Sequence, residues 1–272
     1  MISRILIISV LLRTPGLRGS MRCVEVMRIL GAVAILSISG AASVVANPLS
    51  DIFGFKNNLT GGSAPETFLY FSGFDLWREG GSSYGGVQWA PGGLNSDGFT
   101  LKLLLAGGQY LYTAGTTNIT GTNFLGAALP GWRIKRGNFE IKVFAGLDLQ
   151  HHILSPVDPN NALRGTHAGL RVGTDLWWEP TRKLMIASSL SGSTIGTNFG
   201  ARAAVGWRLF DSFWVGPEIE TSGDDIYRQY RAGAHVTSLK YGRFEWAFGA
   251  GYVEDNDHRS GLYGRFSLLT RQ

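Results

Sequence analysis

The sequence predicts an all-β chain closed into an antiparallel outer-membrane barrel of about twelve strands. Three observations carry this expectation. Residues alternate between two dissimilar rows with a period of two, the signature of a strand whose faces meet different surroundings. The alternating segments run about 10–12 residues, the length that crosses a bilayer, whereas soluble strands average about 5–6. One row of each segment carries no charge, while the other holds charges of both signs among glycines.

The first residues are set aside before the strands are read. Met27-Arg28 precedes an apolar run from Ile29 to Ile38 and then small residues up to Ala46. This reads as a leader and signal peptide over 1–46, cut between Ala46 and Asn47. The true start would then be Met21 or Met27. The run is too short and too interrupted for a spanning helix of roughly 20 residues. Removing its five arginines and one glutamate from 25 basic and 20 acidic residues leaves 20 and 19. The basic balance therefore belongs to the leader and gives no reason to expect nucleic acid. Cys23 leaves with it, so no thiol or disulfide chemistry is expected of the mature chain. Residues 47–66 read as a flexible lead-in and 67–272 as the barrel.

Along the barrel the pattern is clearest in seven stretches. Residues 98–110 place Phe99, Leu101, Leu103 and Leu105 on one row and Thr100 and Lys102 on the other. Residues 138–149 set Phe139, Ile141, Val143, Ala145, Leu147 and Leu149 against Glu140, Lys142 and Asp148. Residues 167–178 oppose Leu170, Val172, Leu176 and Trp178 to Arg171 and Asp175. Residues 198–209 and 229–236 repeat this, with Arg202, Arg208 and Arg231 on the polar rows. The last segments place Arg243, Glu245 and Arg265 there. Stretches near 67–77, 82–90, 117–134, 184–194 and 213–220 fit less cleanly. Turn residues separate the segments, including Pro91-Gly92-Gly93, Gly137-Asn138, Glu179-Pro180-Thr181 and Asp255-Asn256-Asp257. Residues 150–165, which contain two prolines, read as a substantial loop.

Alternation alone leaves the direction of the faces open. A soluble barrel or sandwich would bury the apolar rows, and a membrane barrel turns them to lipid. Strand length, uncharged rows and tryptophan and tyrosine near strand ends (Trp89, Tyr110, Tyr112, Trp132, Trp177, Trp178, Trp207, Trp214, Tyr252) favour lipid. The polar rows also look too charged and too small for a packed core. The expected lumen-facing charges are Lys102, Glu140, Lys142, Asp148, Arg171, Asp175, Arg202, Arg208, Arg231, Arg243, Glu245 and Arg265, paired across strands. On this basis Leu103→Arg should be damaging and Lys102→Ala mild.

These residues carry a resemblance. "YFSGFDLW" (70–77), "YGGVQWAPGGLNSDGFTLKLLLAGGQYLY" (84–112), "LPGWRIKRGNFEIKVFAGLDLQ" (129–150), "DPNNALRGTHAGLRVGTDLWWEP" (158–180), "VGWRLFDSFWVGPEIE" (205–220) and "YRQYRAGAHVTSL" (227–239) are similar to the BcsS-type cellulose biosynthesis proteins of Gram-negative bacteria. The resemblance implies an outer-membrane place in cellulose production, with lipid, the cellulose chain and other synthesis components as partners. It brings no catalytic residues.

Candidate chemistry is weighed residue by residue. Gly81-Ser82-Ser83-Tyr84-Gly85 matches a nucleophile elbow, but an elbow needs strand, turn and helix, and a glycine-rich hairpin is the preferred reading. His151 and His152 point to opposite sides of extended backbone, so a metal site with Asp158 is not expected. His167 and His235 read as ordinary lumen residues. Glu218 and Glu220 share one row, which favours arginine pairing over a glycosidase pair across a cleft. Trp77, Trp132 and Trp214 are candidates for stacking on a glucan, set against girdle and packing roles. No enzyme, cofactor or metal is expected. The expected function is a non-enzymatic outer-membrane barrel accessory to cellulose or exopolysaccharide biosynthesis or export, as an accessory pore, export-site component or surface scaffold; the alternative is a general small porin or surface protein unrelated to cellulose.

Overall fold

In the computed structural model, residues 65–78, 80–114, 116–224, 228–256 and 259–272 are described. The leader and most of the lead-in lie outside them. The described residues form twelve strands: β1 (Phe68–Trp77), β2 (Gly80–Trp89), β3 (Gly98–Ala114), β4 (Thr117–Arg136), β5 (Phe139–Ser155), β6 (Gly165–Thr181), β7 (Leu184–Ser193), β8 (Phe199–Leu209), β9 (Phe213–Gly223), β10 (Arg228–Tyr241), β11 (Phe244–Asp255) and β12 (Ser260–Arg271). Each pairs antiparallel with its sequence neighbours, and β1 pairs with β12, so the sheet closes into a barrel. Closure leaves no strand edge unpaired, which backbone surrounded by hydrocarbon requires.

The two ends differ. The near end carries Phe68, Arg271 and the turns β4–β5, β6–β7, β8–β9 and β10–β11, each of two or three residues. It also carries the β2–β3 loop, whose Leu94 is buried with Leu69 and Leu129 inside the barrel. That loop is tied down by Leu94 N–H donating to Glu66 O at 2.7 Å and by Arg133 donating to Gly93 O at 3.3 Å. The far end carries residues 156–164 between β5 and β6 and residues 194–198 between β7 and β8. Strands β3 to β6, at 17 to 20 residues, rise beyond the shorter β7, at 10 residues.

The clean rows face outward. Leu103, Leu105, Leu147, Leu149, Leu170, Val172 and Ile219 are exposed on the outside wall. An apolar surface encircling the molecule is costly in water and suits lipid. Phe68, Trp89, Phe99, Trp132, Trp178, Trp207 and Tyr241 form an exterior aromatic belt at the near end, and Tyr230 and Tyr252 stand at the far end. Tyr110, Tyr112, Trp177 and Trp214, expected among the girdle residues, are instead buried inside.

The interior corrects a second expectation. On one side of the lumen Phe71, Tyr84, Leu104, Leu125, Leu129 and Phe144 belong to a single packed apolar cluster. Direct cross-strand partnership of a glycine with an aromatic ring makes room for it. Gly73 faces Tyr84, Gly86 faces Phe71 and Gly131 faces Phe144. A Cβ on any of the three would come within 2.6 Å of its partner ring.

Three local readings are also revised. Gly81–Gly85 lies within β2 rather than in a hairpin, and β5 continues to Ser155, so the loop is 156–164. Glu179-Pro180-Thr181 is the irregular end of β6, where the register with β7 shifts between Trp178 and Thr181.

Candidate functional site

Eleven of the twelve expected lumen charges point inward: Lys102, Glu140, Lys142, Asp148, Arg171, Asp175, Arg202, Arg208, Arg231, Glu245 and Arg265. Arg243 does not. It lies in the two-residue turn between β10 and β11 and is exposed, because the alternation ends where the strand does. Asp75, Arg133, Glu218 and Glu220 join the buried charges.

Many of their contacts are chords across the lumen rather than rungs between neighbours. Lys102 on β3 donates to Asp175 on β6 at 2.7 Å and sits 4.0 Å over the Phe144 ring. Arg231 on β10 reaches Asp75 on β1 at 2.7 Å. Arg265 on β12 bonds Glu218 and Glu220 of β9, each at 2.9 Å. Tyr263 donates to Glu218 at 2.8 Å, and Arg202 also pairs with it. Apart from Arg202–Glu218, which links the neighbours β8 and β9, each of these hydrogen bonds and ion pairs joins strands three places apart in the barrel order. A side chain fixed from wall to wall occupies the space a solute would need.

Separate groups fill the rest. Asp148, fully buried, accepts from Arg171 at 2.8 and 3.1 Å, Ser193 at 2.6 Å and Gln150 at 2.9 Å. Glu140 binds Lys142 at 2.8 Å and Lys135 at 3.3 Å. Near the short turns of the near end, Arg208 bonds Glu179 at 2.8 Å and lies 4.3 Å over Trp214.

The far-end mouth is different in character. A cavity of about 40 Å³ is lined by Tyr110, Asn123, Gln150, His152, Asn161, Asn198 and Asp224, with Leu163, Ile195 and Gly196. His152 meets Tyr110 at 3.3 Å through Nδ1 and Gln150 at 3.1 Å through Nε2. Tyr112 donates to Asp158 at 2.8 Å and accepts from Asn161 at 2.9 Å. None of this amide-rich lining is a short motif, and the loop reading of 150–155 hid it.

The other candidates fall in scattered places. Trp132 is on the exterior, while Trp77 and Trp214 are buried at opposite ends, so the three line no common path. His151 faces outward and His152 inward, and Asp158 serves Tyr112. His167 bonds Arg164 O at 3.3 Å and His235 bonds Val205 O at 3.1 Å. Among the described residues no three His, Cys, Asp or Glu side chains converge on a metal-sized site. Glu218 and Glu220 are held together by Arg265 on one strand, so they do not flank a cleft. Ser83 lacks the strand–turn–helix setting of a nucleophile elbow.

The fold and lumen define a closed twelve-strand antiparallel barrel with an apolar outside and a packed, ion-paired inside. Residues 69–272 match the family model of the cellulose biosynthesis protein BcsS, and the chain belongs to that family. A comparison with curated protein sequences finds no match. Solved structures similar to it include the KdgM porin, at 11% identity, covering 74% of this chain and 98% of that one, with a TM-score of 0.43. The translocator domain of the autotransporter NalP from Neisseria meningitidis gives 12% identity, coverages of 92% and 96%, and a TM-score of 0.44. LpxR from Salmonella typhimurium gives 9%, 75% and 99%, and 0.43.

Proposed function

We propose that this chain is a non-enzymatic outer-membrane barrel that serves cellulose or related exopolysaccharide production from the membrane surface, without acting as an open pore. Its partners are outer-membrane lipid, the cellulose chain and other components of the synthesis machinery. Family membership supports the tie to cellulose. The exterior belt and apolar wall support the membrane. With short turns in the periplasm, the near end with its buried Leu94 faces inward and the taller β3–β6 wall faces the outside.

The observation that carries the reading is the set of lumen chords, Lys102–Asp175, Arg231–Asp75 and Arg265–Glu218, which bridge strands three places apart. They weigh against a general porin, which keeps a polar water-filled lumen. They also leave both paired carboxylates committed to arginines and without a substrate cleft.

A clean deletion of the gene tests the function. Loss or marked reduction of dye-binding cellulose, restored by the wild-type chain, is the expected result. Unchanged cellulose would favour a surface protein unrelated to it. Membrane fractionation with a gel comparing heated and unheated samples tests the location, with a heat-modifiable band in the outer-membrane fraction expected.

A further inference from the structure

We propose that the far-end mouth is a binding subsite for a neutral, hydroxyl-rich sugar ring, one unit of a β-glucan segment; the choice of glucan rests on the function proposed above. Across most of the lumen the charges have each other as partners. Here the lining turns to amides, with a phenol and an imidazole, and Asp224 as the one carboxylate among the described lining residues. Amides present a donor and an acceptor side by side, as sugar hydroxyls do, so the two match without charge neutralisation.

Asn123 is the deciding group. It points inward from β4, is 5% exposed and lines the cavity, and its amide bonds no described residue. Polar groups this buried are normally hydrogen-bonded, and with no partner among the described residues the Asn123 amide opens on the cavity, where a ligand hydroxyl would meet it.

The neighbouring wall is already ordered to receive a ligand. Asp148, bound to Arg171, takes the Gln150 amide N–H at 2.9 Å. This leaves Gln150 Oε1 toward His152 at 3.1 Å, which assigns the proton to Nε2 and makes Nδ1 the acceptor of the Tyr110 hydroxyl at 3.3 Å. The chain from Tyr110 to Asp148 thus has one direction, and each group is fixed by the next. The Tyr110 ring lies flat over its cross-strand partner Gly121, where a Cβ would come within 2.2 Å of it. The cavity has room for a hydroxyl rather than a ring, so one edge of the ring reaches in with its hydroxyl while the ring itself and the rest of the glucan stay beyond the mouth.

The test is calorimetric titration of the folded full chain in detergent with cellohexaose, with tri-galacturonate as the acidic comparator. Saturable binding of cellohexaose, and weaker binding of the acid, is expected. Asn123→Leu should weaken it roughly tenfold or more, as loss of hydrogen bonds at a buried amide does. Asn198→Leu, on the β7–β8 loop, should weaken it as well, with a heat-modifiable band checking that each variant is folded. No saturable binding, equal binding of the acid, or unchanged affinity in both folded variants would overturn the subsite. Binding to a chain whose deletion leaves cellulose unchanged would keep the subsite and remove the proposed function. Cellulose lost on deletion but fully restored by a chain that binds nothing would do the reverse.

Discussion

Two halves of one lumen are filled by opposite chemistry. Along β1 to β5 the interior carries Phe71, Leu104, Leu125, Leu129 and Phe144, packed as a core and roofed at the near end by Leu94, beside the buried charges Lys102, Glu140, Lys142 and Asp148. Along β8 to β12 it is Arg202, Glu218, Glu220, Arg231 and Arg265, joined by Asp75 from β1, each charge answered by another. The apolar half is held by area and shape, so removing a side chain loses contacts and leaves a void. The ionic half is held by mutual neutralisation, so removing one member leaves a buried charge. The same space can be closed either way, but the two solutions fail differently.

The largest effects are expected in the ionic filling. Asp148→Ala strands Arg171 in the interior and should cost about 3–5 kcal/mol, read as a lower urea midpoint for unfolding in detergent. Glu218→Ala removes the shared partner of Arg202, Arg265 and Tyr263 and should behave alike. In the apolar half, Leu129→Ala should cost about 2–5 kcal/mol, with the lower end expected if the wall can collapse onto the site. High salt should leave both deficits in place, since buried pairs are little screened.

Outside the barrel, Leu103→Arg should cost about 2–4 kcal/mol if the site lies near the bilayer midplane, and should lower the yield of heat-modifiable protein. Its neighbour Lys102→Ala, expected from the sequence to be mild, now carries a larger expectation, because Lys102 holds Asp175 across the lumen. Nearby Lys142, the cross-strand partner of Asp175, limits the damage. The smallest effect is expected at Asp97, an exposed carboxyl that the Arg136 guanidinium holds below the usual range. Its contribution is present at neutral pH and is lost on acidification through its lowered pKa. Asp97→Asn should leave the unfolding midpoint at pH 7 within error, as exposed pairs usually do.

What could be read from the residues follows the same division. Lipid makes one demand on every outward position, so rows such as Phe139 to Leu149 are uniform and visible. The lumen accepts either filling, so Leu104 and Phe144 looked like interruptions of polar rows. Strand β4 is apolar on both faces, with Leu125 and Leu129 inside and Phe124 outside, and its period of two is blurred. Inward Trp177 and Trp214 have the spacing of girdle residues and differ only in facing the other way. Past Leu149 the outer row of β5 runs His151, Ile153, Ser155, so its apolar pattern breaks at 150–155. The chords and the mouth depend on which strands stand opposite, and strand register is not written in any single segment.

Single-molecule conductance of the purified full chain in a planar bilayer tests the filled lumen most directly. With Lys102, Arg231 and Arg265 anchored across the barrel, the wild type should insert without steady ion-conducting steps, while Arg265→Ala combined with Arg231→Ala should begin to show them. A large, stable open conductance in the wild type would contradict the filled lumen.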